Sequence, residues 1–402
     1  MNIYIVIGIF SFLLFYTLWA KKWFISTYII AVYILTLLVA LLIENIFPFY
    51  TDSKEGSIVY VGALMLLFLP YLRKAPEIVC NQGQSSLDKT ISISYTLSVI
   101  LLLLDILIIP AIMVASATGF EDLRQEGFSA HYSGNFITNQ AIHFIDILSP
   151  LSFTLLLVFF YLFSFVDCTK RTKVIIFLAS LSAPYYGIIS GGRTQMIYWL
   201  LSLGFNVVLF HKYIDSEKKK QLYKYMSLIV SSIAIYIMAA TIARFASSDW
   251  GTENSLLIYI GQPYLNFGYF YENYQNIGNV TLDRIFPLSN SLINGNFDLE
   301  GYRDSIFSRT GLNIGIFYTL LGDLLVDVGV KGIFVYTTIY WIIATHFTRK
   351  TTIDLSSLLI INILFLIPLQ GVFYYSFWKR QVTFCAILVI LFSLYIKRNR
   401  YE

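Results

Sequence analysis

The sequence predicts an all-α, polytopic integral membrane protein with about 11–12 transmembrane helices. Of its 402 residues, 57% are hydrophobic and 13% are charged, whereas soluble domains carry about 25% charged residues. The mean hydropathy is +0.68. Apolar stretches close to the roughly 20 residues that cross a hydrocarbon core recur along the whole chain. These observations exclude an ordinary soluble domain and predict one transmembrane domain over residues 1–402.

Eleven apolar segments are candidates for the spans. They fall near residues 3–20, 24–46, 57–72, 91–118, 144–166, 174–190, 195–211, 225–245, 330–347, 355–375 and 381–396. The first is too long for a signal peptide and lacks its cleavage site, so we interpret it as a retained helix. A further apolar stretch, 312–330, contains Asp323 and Asp327. It is open to three interpretations: a twelfth span, a re-entrant helix or an interfacial helix.

Basic residues predict the orientation of the chain. Short loops rich in Lys and Arg remain cytoplasmic, and the basic loops lie at 20–23, 72–76, 167–173 and 215–224. A smaller loop at 119–140, the Gly191–Arg193 turn, a large loop at 245–312 and the N-terminus are then expected outside. The large loop is rich in aromatic residues, unlike a linker. We therefore expect it to fold onto the outer membrane face, as long functional loops do.

Arginine is the residue type that indicates a ligand. The outer side is normally depleted of Lys and Arg, yet six arginines are expected there: Arg124, Arg193, Arg244, Arg284, Arg303 and Arg309. Each could pair with a nearby carboxylate. As a set they favour an anionic ligand, because guanidinium binds phosphate bidentately and stays charged when desolvated. Arg193 follows two glycines, which suit a tight turn. The alternative to a ligand-binding role for Arg193 is a hairpin turn whose arginine snorkels to water.

Other chemical motifs are weak in this sequence. The three cysteines are scattered, the four histidines share no spacing, and HExxH, GxSxG and P-loop motifs are missing. We therefore expect no metal and no cofactor. The basic residues cluster in short loops, so no nucleic-acid surface is expected. Asp105 and Asp146 lie in predicted spans and could form a proton relay, as could Asp323 and Asp327. Helix capping or hydrogen bonding within the bundle is the alternative for each.

Several features together resemble the bacterial O-antigen and capsule repeat-unit polymerases of the Wzy type. They are the SGGR turn before a span, an arginine in an earlier external loop and a long external loop. After that loop, family members often carry a T-x-x-G/x-x-x-x-D-x-G-x-x-G-like run. The residues that fit the run are Thr319, Gly322, Asp327, Gly329 and Gly332. An unspecific Arg-x10-Gly pattern of the family is matched at Arg193 and Arg284.

The resemblance implies a GT-C-like polymerase/ligase architecture and a metal-independent glycosyltransferase. Its substrate would be an undecaprenyl-diphosphate-linked oligosaccharide, and its product lipopolysaccharide O-antigen or capsular polysaccharide. The site would face the exterior of the bacterial plasma (inner) membrane. Implied partners are membrane lipid and a chain-length regulator protein.

The resemblance also implies roles for particular residues. Arg193 and Arg284 are assigned the catalytic role of binding the diphosphate leaving group. The residues assigned to substrate binding are Arg124, Arg244, Arg303, Arg309 and Tyr264. The general base is open among Asp249, Glu253, Glu272 and Asp304.

Two alternatives remain from the sequence. An O-antigen ligase shares the architecture but is expected to use a histidine in the large loop, and none lies between Phe245 and Leu312. A flippase or transporter of lipid-linked oligosaccharide is expected to have two related halves and short loops. No internal repeat is evident in this sequence.

Overall fold

The computed structural model describes most of the chain. The described residues are 2–20, 24–46, 53–80, 84–117, 136–190, 192–245, 251–273, 317–376 and 379–398, with the isolated positions 301, 304, 306–308 and 311. Within them the structure is α-helical apart from short 3-10 turns and two strands of two residues, β1 (Glu77–Ile78) and β2 (Thr352–Ile353), which pair. This confirms the predicted all-α class.

Each predicted apolar segment contains an α-helix, and of the described helices Gly251–Asn273 lies outside all of them. In chain order they are α1 (Ile3–Trp19), α2 (Phe24–Ile43), α3 (Lys54–Phe68), α4 (Gln84–Leu107), α5 (Ile109–Ala117), α6 (Phe136–Leu148), α7 (Leu151–Phe165), α8 (Lys170–Ala179), α9 (Ser182–Ile189), α10 (Thr194–Phe210), α11 (Ser216–Phe245), α12 (Gly251–Asn273), α13 (Thr319–Thr348), α14 (Leu355–Gln370) and α15 (Arg380–Arg398).

Five helical stretches of the described chain are long and apolar enough to cross a membrane. They are Ile25–Ile43, Leu87–Leu107, Lys170–Ile189, Ser216–Ile242 and Arg380–Arg398. Helices α6 and α7 pass the same test together but bend by 65° where they meet, which brings the number to six if they form one span. By length and composition the described part of the chain thus has five or six helices that could span a membrane, as expected of a membrane protein, and the count of 11–12 spans stays a prediction.

Much of the difference in count comes from helix length, since α1, α3, α10 and α14 have only 15–17 residues. Breaks within the predicted segments are a second cause. The predicted segments 91–118 and 144–166 each hold two helices rather than one. The second is interrupted at Pro150, which lacks a backbone N–H and ends a helix that precedes it. Hydropathy depends on composition alone, so it does not detect such breaks.

Packing divides the chain into two compact units. Unit 1 contains residues 1–77, 253–352 and 363–383, and unit 2 contains residues 78–252, 353–362 and 384–402. In unit 1, α1 packs against α2, and α3 packs against α13. In unit 2, α4 packs against α6 and α8, and α9 packs against α4, α5, α6 and α10. The predicted domain 1–402 therefore consists of two parts that each draw on distant stretches of sequence.

Helix α12 lies inside the predicted large loop. Its 23 residues, Gly251–Asn273, are helical although they contain Pro263. Tyr264 and Phe267 on this helix are 2% and 0% exposed. The loop predicted at 245–312 therefore begins with a helix packed into unit 1. The remainder of that loop lies outside the described residues except for the isolated positions.

Helix α12 approaches α2 very closely at one glycine. A Cβ added to Gly261 would lie 2.8 Å from both the Cα and the N of Ala40, and 2.9 Å from Ile43 Cδ1. Real Cβ atoms do not come that close to backbone, so only glycine fits. Small residues allow this kind of close backbone approach between membrane helices.

We expect Gly261→Ala to destabilise unit 1 by about 1–3 kcal/mol, since its Cβ would meet the α2 backbone and overpacking a close interface forces the backbones apart. The thermal unfolding midpoint of the purified protein in detergent measures this. Gly62→Ala is the matched control, because its Cβ would meet Phe334 Cε1 at an ordinary 3.4 Å. Equal midpoints for the two variants would contradict the predicted close approach.

Helix α13 is broken internally. At Gly329 the backbone angles are φ 66° and ψ −175°, a combination nearly confined to glycine. The ten residues before the break, 319–328, rise about 15 Å, roughly half of a 30 Å hydrocarbon core. Residues 319–327 are all buried, whereas an interfacial helix exposes a polar face. Of the three interpretations of the stretch 312–330, this burial argues against the interfacial helix, and the twelfth span and the re-entrant helix stay open.

The start of α13 is held by the segment that follows α14. The backbone N–H of Thr319 donates to Phe373 O at 2.8 Å, and that of Leu320 donates to Gly371 O at 2.7 Å. Two of the four N–H groups that a helix start leaves unpaired thereby have acceptors. Thr319 has φ 67°, and its Oγ1 accepts from Gly322 N at 3.4 Å.

The run that fits the Wzy-type pattern therefore has a local structural role. Thr319 begins the short helix and bonds Gly322, Asp327 is 0% exposed within it, and Gly329 is its break. A Cβ at Gly332 would lie 2.3 Å from a valine side chain of the preceding turn. The run marks a broken, buried helix, whichever family the chain belongs to.

Candidate functional site

The turn that carries Arg193 joins α9 to α10. Gly192 N donates to Gly187 O at 2.9 Å and Ser190 N donates to Tyr186 O at 3.1 Å, which closes the end of α9. A Cβ on Gly187 would lie 2.9 Å from Gly192 O, so the turn requires glycine there. Arg193 is then the residue before the first turn of α10.

The Arg193 side chain points into the protein. It is 4% exposed, and its Nη1 donates to Thr241 Oγ1 on α11 at 2.6 Å. Thr241 is itself buried, and its hydroxyl donates to Ile237 O at 2.6 Å. The threonine oxygen is therefore oriented to accept from the guanidinium. A snorkelling arginine would hold its head in water, and this burial argues against that alternative.

The electrostatics at Arg193 favour an anion. Arg193 stands at the N-terminal end of the 17-residue helix α10, where the unpaired N–H groups and the helix dipole already favour negative charge. Position 244 of α11 follows Thr241 by three residues and so lies on the same face of that helix. The predicted arginine positions 193 and 244 therefore lie at the start of α10 and on α11, two helices of unit 2 that contact each other.

The other predicted arginines lie outside what the structure describes. Arg124, Arg284, Arg303 and Arg309 fall on residues that it does not describe, and for Arg244 it describes the backbone alone. Among the candidate bases, Glu272 and Asp304 are exposed. Asp249 and the side chain of Glu253 lie outside the described part. The proposed catalytic pairing of Arg193 with Arg284 therefore stays a prediction.

Tyr264, the predicted sugar-binding aromatic, packs against other rings. Its ring meets Tyr60 edge-on with centroids 5.2 Å apart. Tyr259 meets Phe317 in the same way at 4.9 Å, and Phe270 stacks on Tyr318 at 4.4 Å. Such pairs stabilise a core by about 0.5–1.5 kcal/mol each beyond their buried area. These contacts favour a packing role for the tyrosines of α12.

The comparisons with known proteins do not identify a family for the chain. No family model, no curated protein and no solved structure matches it. Its function therefore has to be inferred from the site residues.

Helix α9 brings hydroxyl groups to two buried or half-buried carboxyl groups of unit 2. Ser182 Oγ donates to Asp105 Oδ2 at 2.7 Å, and the Tyr186 hydroxyl hydrogen-bonds Asp146. Asp105 lies on α4 and Asp146 on α6. The predicted relay residues thus contact different residues of one short helix, as the alternative of bundle hydrogen bonding expects. Ser182 and Tyr186 are partners that the sequence does not reveal, because their pairing depends on tertiary contact.

The carboxylates of α13 are also inside the protein. Asp323 is 2% exposed and its Oδ2 accepts from the backbone N–H of Tyr375 at 2.7 Å. Asp327, four residues later, is 0% exposed. Within the described residues no group of three or more His, Cys, Asp or Glu side chains is arranged to hold a metal ion.

Proposed function

We propose that this protein is a repeat-unit polymerase of the Wzy type. It would join undecaprenyl-diphosphate-linked oligosaccharides into O-antigen or capsular polysaccharide at the outer face of the bacterial plasma membrane. The observation that carries the proposal is Arg193, a buried guanidinium at the start of α10 held by Thr241 of α11. The sequence resemblance places an arginine of this kind at the diphosphate.

The chemistry needs charge neutralisation at the leaving group. A hydroxyl of one repeat unit attacks the anomeric carbon of the lipid-linked chain, and the bond from that carbon to the diphosphate oxygen breaks. The proton of the hydroxyl passes to a carboxylate base, and both electrons of the broken bond leave with the diphosphate. A fixed guanidinium and the first N–H groups of α10 stabilise that charge as it develops.

The proposed orientation rests on the basic loops. Residues 167–173 and 215–224 flank α8–α11 and are expected inside. The turn at Arg193 lies between them, with the candidate span Lys170–Ile189 before it and α10 after it, which covers the predicted apolar span 195–211. It is therefore expected outside, where lipid-linked repeat units are polymerised in the proposed reaction.

A glycan ladder from a deletion strain tests the proposal. Without the protein, we expect surface glycan that carries a single repeat unit, because ligation to the acceptor still proceeds. Long polymer that remains on the lipid carrier would indicate a ligase instead. Loss of all surface glycan would indicate a transporter of the lipid-linked unit.

The transporter alternative has one observation in its favour. Discontinuous helices with buried carboxylates line the substrate and ion sites of many transporters. Helix α13 is such a helix, broken at Gly329 and carrying Asp323 and Asp327 on its first, fully buried part. The deletion ladder separates this alternative from the polymerase.

A further inference from the structure

Asp105 lies beside a cavity that the proposed reaction does not use. The cavity has a volume of about 400 Å³ and lies within unit 2, between α4, α5, α8 and α9. Volumes of roughly 300–1,000 Å³ are usual for sites that hold small molecules. Its walls are leucine and isoleucine, apart from Asp105 and Tyr185. The cavity is therefore an apolar space with one carboxyl group at its wall.

Asp105 is only partly satisfied by its protein neighbours. Its side chain is 6% exposed, and Oδ2 accepts from Ser182 Oγ at 2.7 Å. Oδ1 is buried and has no hydrogen-bond partner among the residues that the structure describes. A hydroxyl has a single proton, and Ser182 Oγ also lies 2.9 Å from Ala179 O. Whether the Ser182 hydroxyl donates to Asp105 Oδ2 or to Ala179 O, it does not donate to Oδ1. Oδ1 therefore needs another hydrogen-bond donor.

The position of this carboxyl group makes the unmet hydrogen bond costly. Asp105 lies in the candidate span Leu87–Leu107, and Tyr185 lies in the candidate span Lys170–Ile189. Asp105 is two residues from the end of its span, but its burial in the protein removes it from water, and buried ionisable side chains are paired or mark a ligand. A positively charged donor stabilises the carboxylate most, since it supplies both the hydrogen bond and the countercharge.

The cavity opens toward lipid. Three residues of its wall, Ile106, Ile109 and Leu178, are 59%, 48% and 40% exposed at the surface of the protein. Exposed apolar side chains on membrane-spanning helices face hydrocarbon. A ligand that enters by this route is dissolved in the bilayer and has an apolar chain.

We propose that this cavity binds an amphiphile with one alkyl chain and a primary ammonium head group. The ammonium donates to Asp105 Oδ1, and the chain lies along the Ile and Leu wall. The size of the cavity suits one chain rather than a whole phospholipid. This inference is independent of the proposed polymerase function.

Thermal unfolding of the full-length protein in phosphatidylcholine nanodiscs tests the proposal, with dodecylamine at neutral pH as the probe. At about 100-fold excess over Kd we expect the unfolding midpoint to rise by roughly 3–5 °C. Dodecanol, which has the same chain and no charge, is expected to give less than a third of that rise. An equal rise with dodecanol overturns the ammonium assignment.

Two variants locate the site. Asp105→Asn is expected to abolish the rise, whereas Asp146→Asn, which changes the carboxyl group bonded to Tyr186, is expected to keep it. An undiminished rise in Asp105→Asn overturns the proposal. If that variant fails to fold, Ile106→Trp fills the cavity from a surface position and is expected to abolish the rise as well. A full rise in Ile106→Trp also overturns the proposal.

A third arm identifies the source of the ammonium group. In nanodiscs that contain phosphatidylethanolamine, the wild-type midpoint is expected to stay unchanged, because a two-chain lipid does not fit the cavity. A rise there that disappears in Asp105→Asn overturns the single-chain assignment.

Discussion

Arg193→Lys is expected to reduce polymerisation by about 100-fold while leaving the amount of membrane-inserted protein unchanged. Removing one fixed donor from a site of developing negative charge typically costs about 10²–10³ in rate. Lysine keeps the charge but loses the planar fork that binds phosphate through two N–H groups at once. Lysine also does not reproduce the geometry of the hydrogen bond that Arg193 Nη1 donates to Thr241 Oγ1. The glycan ladder of a complemented deletion strain measures the effect.

The matched control is Arg171→Lys. Arg171 is exposed near the start of α8, in the basic segment 167–173 that is expected inside, so its replacement should leave the ladder unchanged. Thr241→Val keeps the shape of the partner side chain and removes the oxygen that accepts from Arg193. It is expected to shorten the ladder less than Arg193→Lys does. A normal ladder in Arg193→Lys would refute the assignment of this residue to the diphosphate.

Gly329→Ala is expected to lower the yield of folded protein sharply. An alanine at φ 66° and ψ −175° costs about 1–3 kcal/mol of backbone strain. That is a large share of the roughly 5–15 kcal/mol that stabilises a typical protein. The strain falls on the break that positions the buried helix 319–328. Size-exclusion chromatography of the detergent-solubilised protein, followed by thermal unfolding, measures the loss.

Gly8→Ala is the control for this substitution. Gly8 lies in α1 and an added Cβ meets no atom within 4 Å. Alanine there is expected to be neutral or slightly stabilising, by up to about 1 kcal/mol, because it favours the helix. If both variants gave the same yield and midpoint, α13 would not be broken at Gly329.

The sequence predicts what depends on composition and local chemistry. Each apolar segment lies on a helix because burial in lipid is encoded residue by residue. The SGGR turn is likewise local, since Gly187 and Gly192 determine how α9 ends and where Arg193 begins α10. The position of Arg193 at the start of α10 therefore follows from local sequence, whereas its partner Thr241 lies 48 residues away. Its assignment to the diphosphate stays a prediction.

Other features depend on contacts that no single stretch of sequence contains. Helix α12 was missed because Pro263 and its tyrosines and amides are untypical of a span. The break at Gly329 is a backbone angle, which hydropathy does not record. The hydrogen bond from Ser182 to Asp105 joins residues 77 positions apart. Only the packing of α9 against α4 brings these two residues together.

The anchoring of α13 has a consequence for how the chain is made. The N–H groups of Thr319 and Leu320 bond to Phe373 and Gly371, and Asp323 bonds to the N–H of Tyr375. The ribosome reaches all three of those partners only after it has completed α14. Until then Asp323 and the two backbone donors lack these three hydrogen-bond partners, in a segment that is buried in the finished protein. Residues 319–328 therefore reach their final position late, after more than fifty further residues have been synthesised.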